Sequence, residues 1–177
     1  MTVAALVPII TGLSEQITAV QDRLTERFEA HPDAELILSL PGLGPILGAR
    51  VLAEFGDAPN RYTDVNRYTD VKARRNYAGT APITRASGTT EVALVRLVRN
   101  KRLFDACWQW AFCALTRSPG ACAYYDAHNA GPRAGKTARR KLANKLVGIL
   151  HGVLEHRSVY DEQLAWSHWL TSDELAA

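Results

Sequence analysis

Cysteine is scarce in this chain of 177 residues, and what there is comes unpaired: Cys107, Cys113 and Cys122 follow no Cys-x-x-Cys spacing. That excludes a disulfide framework and a cysteine zinc site, and it points to free thiols in a reducing compartment. His151 and His156 stand five apart with no cysteine pair to join them, so no metal site is expected in this chain. A signal peptide is also missing, because the apolar N-terminal stretch has no basic lead and Glu15 follows it closely. Long apolar runs are lacking too: the longest window reads as Leu146 to Leu154, is interrupted by His151, and is too short to span a bilayer. The expectation is a soluble cytoplasmic protein with no membrane partner. Disorder is excluded from the other side, since 47% hydrophobic and 22% charged residues can build a packed core.

Acidic residues are the next scarcity, and it is local. The net charge of +3 hides three blocks: −5 over residues 1–57, +12 over 58–145 and −4 over 146–177. The middle block holds seventeen basic and only five acidic side chains. A basic block between acidic flanks is the footprint of a polyanion partner, with a solvated basic face as the alternative.

Strand-like alternation is not evident anywhere, so the chain reads as mainly α. Ile10, Leu13, Ile17, Val20 and Leu24 recur in steps of three and four, a heptad seam on a helix expected to start near Pro8. Residues 1–31 are therefore read as one helix broken by His31-Pro32-Asp33, the tail of a coiled coil, with an ordinary amphipathic helix packed on its own domain as the alternative. Residues 32–177 are read as a helical domain.

Within it, Leu40-Pro41-Gly42-Leu43-Gly44-Pro45 opens an apolar helical pattern that Gly56 closes. This is a helix-hairpin-helix-like element, in which Gly42 and Gly44 would let the turn approach a phosphate. A plain Pro-Gly turn between packed helices is the alternative. The hexapeptide Asn60-Arg61-Tyr62-Thr63-Asp64-Val65 recurs at once as residues 66–71, a tandem insertion in a loop. Thr69 or Asp70 caps a helix through Arg74 and Arg75 that Gly79 ends. Glu91 to Leu115 reads as a long helix or two in series, and Ser118-Pro119-Gly120 as a break. A last helix packs through Leu142, Leu146, Ile149, Leu150, Val153 and Leu154. The four tryptophans, Trp108, Trp110, Trp166 and Trp169, read as core and surface anchors.

The remaining chemistry lies in the loop Tyr77 to Gly88, where a Ser87-Gly88 step sits inside the basic block. A serine attacks phosphorus only if its hydroxyl is free of local hydrogen bonds and aligned with a leaving oxygen. Arg74, Arg75, Arg85 and Arg96 are candidates to hold that phosphate, joined along the block by Arg102 and Arg140. From the residues alone, Ser87 as the cap of a helix starting near Glu91 is the favoured reading.

Four segments in order carry a resemblance: LPGLGPILGARVLAEFGD, NYAGTAPITRASG, RNKRLFDACWQWAFCALTRSPGACAYYDAHNAG and LANKLVGILHGVLEHRSVYDE. Together they resemble the C-terminal half of insertion-sequence transposases of the one-ten/one-sixteen/nine-oh-two family. The resemblance implies that Ser87 is the nucleophile of a DNA recombinase. It also implies a preceding RuvC-like domain, not seen in this chain, whose four acids bind Mg2+ and complete a composite site between subunits. This chain itself would then need no cofactor, and alone it would lack most of the electrostatic stabilisation that phosphoryl transfer requires. DNA, a structured guide RNA and a second copy of the chain are the implied partners. A non-catalytic nucleic-acid-binding module and a helical oligomerisation module are the alternative functions. The duplicated hexapeptide bears on all of them, because an insertion of that size could displace Ser87.

Overall fold

The computed structural model describes residues 3–56, 70–131 and 134–169. Eight helices and one two-stranded sheet make up these residues, so the fold is mainly α as expected. The first helix, α1 (Val3–Glu29), carries Pro8 inside rather than at its start and ends at the His31-Pro32-Asp33 break. Only Phe28 is buried along its whole length. It fits against Gly48 of α3 (Pro45–Phe55), where any Cβ would stand 3.0 Å from the ring. The heptad seam lies open: Ile10, Leu13, Ile17 and Val20 are each more than half exposed. By length and composition α1 is also apolar enough to cross a membrane, with mean hydropathy 1.5 over its best window. That corrects the reading of residues 146–154 as the longest apolar window.

A short α2 (Ala34–Leu38) leads into the Pro-Gly hairpin and α3. The hairpin is fastened to α5 (Lys101–Ala114). There the buried Trp110 donates its indole N–H to the Pro41 carbonyl at 2.8 Å. Gly42 holds φ +80 in the left-handed region, and a Cβ on it would stand 2.6 Å from the Ala114 nitrogen. Helix α4 (Val71–Ala78) begins where Asp70 accepts from the Ala73 N–H and ends at left-handed Gly79, both as the sequence indicates. The duplicated hexapeptide falls on residues 60–71 and lies outside the described residues, apart from Asp70 and Val71.

The largest departure from the sequence reading follows Pro82. Strands β1 (Ile83–Ser87) and β2 (Thr90–Leu94) form an antiparallel hairpin, with Ser87 opposite Thr90. Two residues, Gly88 and Thr89, close it, and Gly88 takes the positive φ (+57) that a glycine-first turn requires. No helix starts at Glu91. The chain runs on without regular structure to Asn100, whose side chain caps α5 through the N–H groups of Arg102 and Leu103. Alternation escaped notice because both faces of the hairpin are exposed, leaving no buried face to impose it.

Helix α6 (Pro119–His128) is capped by Ser118, and α8 (Glu162–Trp166) returns to the same place. Glu162 accepts from the Ser118 hydroxyl at 2.8 Å and the Gly120 N–H at 2.9 Å, while Trp166 lies over Gly120. Between these layers runs α7 (Ala134–His156), which packs on both α5 and α6. Its Leu142, Leu146, Leu150 and Val153 are buried as the spacing required, with Ile149 and Leu154 packed at the edge of the core. All three cysteines are free, and burial pushes the Cys107 thiol up to about 12.

Helices α4 and α7 meet through cations. Arg74 is fully buried with its guanidinium 5.3 Å from the Phe55 ring centre. Arg75 donates to the Asn144 carbonyl at 2.9 Å and occupies the space above Gly148. Thr80 donates to the Asn144 side chain at 3.1 Å. Burial lowers the pKa of His151 below its ordinary 6.5, Arg74 lowers it further, and the exposed Glu155 at 3.3 Å does not offset them.

Two predictions follow from this packing. Gly42→Ala should lower the unfolding free energy by about 2 kcal/mol, from overpacking and left-handed strain. Gly44→Ala, where a Cβ meets nothing within 4 Å, should cost less, about 1 kcal/mol or below from the lost N-cap preference, in the same urea titration. Because the folded state binds a proton at His151 less readily than the unfolded chain, stability is present above pH 6.5 and declines as pH falls through it. His151→Gln should flatten that decline in unfolding curves recorded across this range.

Candidate functional site

Ser87 closes the last rung of the β-hairpin, beside the Gly88-Thr89 turn. It is exposed, and its hydroxyl has no hydrogen-bond partner among the described residues. The possibility that it caps a helix at Glu91 is removed by the strand found there. Pairing in register places Ile83, Arg85, Ser87, Thr90, Val92 and Leu94 on one face of the hairpin. The strands pack chiefly on each other, so this face stands away from the helical core.

Of the arginines expected to hold phosphate, Arg85 alone shares the serine's face and is fully open. Arg96 follows β2 and donates to the Asn76 side chain at 3.1 Å, a contact that ties the hairpin's base to α4. Arg102 is exposed at the first turn of α5, and Arg140 is half-buried on α7. Arg74 corrects the sequence reading, because its guanidinium is sealed in the core away from any surface phosphate, whereas Arg75 is half-buried along α7 with its Nε donating to the Asn144 carbonyl. Burial lowers the pKa of Arg75, with Tyr124 acting against it. The two glycines also separate. Gly42 faces the end of α5 and is a packing residue, whereas Gly44 is exposed at the N-terminus of α3 with open space around it.

Magnesium, implied for the intact enzyme, finds no donor set here. Among the described residues no three His, Cys, Asp or Glu side chains gather. Two of the acids near the basic block are engaged elsewhere, Asp105 with Arg50 at 2.8 Å and Glu54 with Asn100 at 2.7 Å.

Sequence reasoning passed over one feature of the basic block. Phe104, Trp108 and Phe112 follow one another at four-residue spacing along α5, the first two stacked at 6.2 Å and 23°. Arg99 lies 3.6 Å from the Phe104 ring centre. Arg139, arriving from α7, stands 4.8 Å from Trp108 and 4.9 Å from Phe112. Trp110 and Trp166 are buried anchors as expected; Trp108 is half-exposed within this ladder. The available signal was the i, i+4, i+8 spacing of aromatics beside arginines, although the cross-helix pairing with Arg139 is not readable from spacing.

Known proteins agree with the family to which the four sequence segments point. The chain is 47% identical to the IS117 mini-circle transposase of Streptomyces coelicolor, over 80% of this chain and 33% of that protein. It is 33% identical to the uncharacterized 42 kDa protein of insertion element IS900 from Mycobacterium paratuberculosis, over 89% of this chain and 38% of the relative. The uncharacterized 43.6 kDa protein of insertion element IS110, also from Streptomyces coelicolor, is 27% identical over 93% of this chain and 39% of its own length. The chain thus spans between 33% and 39% of the length of these curated relatives. The profile described as "Transposase IS116/IS110/IS902 family" matches residues 34–126, from the start of α2 through most of α6, and the chain belongs to that transposase family.

Proposed function

We propose that this chain is the DNA-binding and strand-transfer part of a transposase, with Ser87 as the attacking group. The observation that carries this reading is the free, exposed Ser87 hydroxyl at the tip of a projecting hairpin, inside the family-matched stretch and beside Arg85. A serine on such a tip can enter a duplex groove or a neighbouring subunit's site without displacing core residues. In the reaction the Ser87 oxygen forms a bond to phosphorus while the bond to the departing sugar oxygen breaks. The serine proton passes to a base, and the leaving strand departs as a hydroxyl. A second strand's hydroxyl then attacks the phosphoserine and returns the free serine. Arg85 offsets charge on the phosphate oxygens, while Arg96, Arg102, Arg140 and the hairpin at Gly44 hold more distant backbone phosphates.

No acid cluster gathers among the described residues, so on this reading the chain works with acidic residues supplied by a RuvC-like domain such as a longer relative would hold. DNA in the cytoplasm is the substrate, and a structured guide RNA is a further ligand of the basic block. A second observation favours self-association: the exposed heptad seam of α1 is the tail of a coiled coil between copies.

Two measurements test these readings. In a cleavage assay supplied with the acidic domain of a longer relative, Ser87→Ala should reduce strand cleavage at least about a thousandfold, leaving duplex binding unchanged. Full cleavage by that variant rejects the serine assignment. For α1, Leu13→Asp combined with Ile17→Asp should convert a dimer to a monomer in sedimentation. An unchanged sedimentation coefficient for the double variant rejects the seam as the interface.

A further inference from the structure

Phe112 ends the aromatic ladder of α5 and is 57% exposed, with one guanidinium beside its ring. It is also held in place. Arg139 lies over it at 4.9 Å while touching Trp108 at 4.8 Å, so the ring is ordered before any ligand arrives. The same side chain lines a groove of about 560 Å3 between the Pro-Gly hairpin and the end of α5, together with Pro41, Gly42, Thr116 and Arg117. That volume falls within the roughly 300–1,000 Å3 of small-molecule sites. None of its lining residues is acidic, and Arg117 stands exposed at the rim. An open ring backed by a guanidinium, a groove beside it and a cation at its edge match a base, its sugar and its phosphate.

We propose that Phe112 stacks an unpaired nucleobase of a single-stranded nucleic acid, with Arg117 holding the adjoining phosphate. The proposal rests on the reading that the basic block binds nucleic acid, and it adds a strand-state preference that phosphate contacts alone do not create. Duplex bases are already stacked on each other and cannot reach the ring. The flank of α7 supports the charge match, since Lys136 and Arg140 neighbour Arg139 on the same helix.

The test titrates the intact chain against labelled oligothymidylate, oligouridylate and a blunt duplex at several salt concentrations. Phe112→Ala should weaken binding to single strands about tenfold, the size of one base–aromatic stack, with the salt slope unchanged. Duplex affinity should stay the same, and Phe112→Tyr should bind single strands like the parent. Arg117→Ala should reduce the salt slope for single strands by about 0.7. The relative affinities of the two oligonucleotides tell DNA from RNA as the source of the base. Single-strand binding unaffected by Phe112→Ala overturns the proposal, as does an equal loss for strand and duplex. Absence of salt-dependent binding to any of the three by the parent overturns the nucleic-acid reading itself, and this proposal with it.

Discussion

Trp110 is the residue on which the arrangement of this domain depends. Its indole is fully buried, so its N–H must find an acceptor inside the protein, and it finds the Pro41 carbonyl. That single bond sets the Pro-Gly hairpin against the last turn of α5. Contact is then so close that residue 42 must lack a Cβ. The groove bordered by Phe112 and Arg117 exists because the hairpin is pinned there, and α3 leaves the hairpin in a direction set by the same contact. Glu162 plays a comparable part at the other end, drawing α8 onto the start of α6 and closing Trp166 over Gly120.

The basic block divides into two populations with different physical roles. Arg74 and Arg75 lie between α4 and α7, where aromatic faces and carbonyl oxygens receive them in place of water or phosphate. Arg99 and Arg139 sit along the aromatic ladder, and Arg85 and Arg102 are open to solvent. A cation already desolvated and packed contributes little to counterion release. The electrostatic footprint of the described cations is therefore smaller than their number suggests, because Arg74 and Arg75 are packed between helices. Ser87 lies apart from the packed cations, on a two-stranded element whose strands pack chiefly on each other.

Helix positions were legible wherever capping chemistry and a buried face agreed. Asp70 and Gly79 delimit α4, and the leucines of α7 face the core at the expected interval, while Ser118, read only as part of a break, caps α6. The segment 91–100 was not legible. Val92, Val95 and Val98 mimic a helical side by spacing, yet they are exposed on a strand and the irregular chain after it. Their β-branched side chains and the Ser-Gly step pointed to a hairpin. With neither face buried, however, the period-two signal had no core to read against.

The sequence by itself determined a mainly helical chain, the charge blocks, the free thiols, the break after α1 and the family that four ordered segments share. Each rests on composition or on interactions within a few residues, which the order of residues specifies directly. Tertiary structure decided which cations face solvent, that Gly42 packs while Gly44 stays open, and that Arg139 completes a ladder begun on another helix. These depend on the meeting of surfaces far apart in the chain, where burial and the need to satisfy every enclosed polar group choose among arrangements that spacing leaves equivalent.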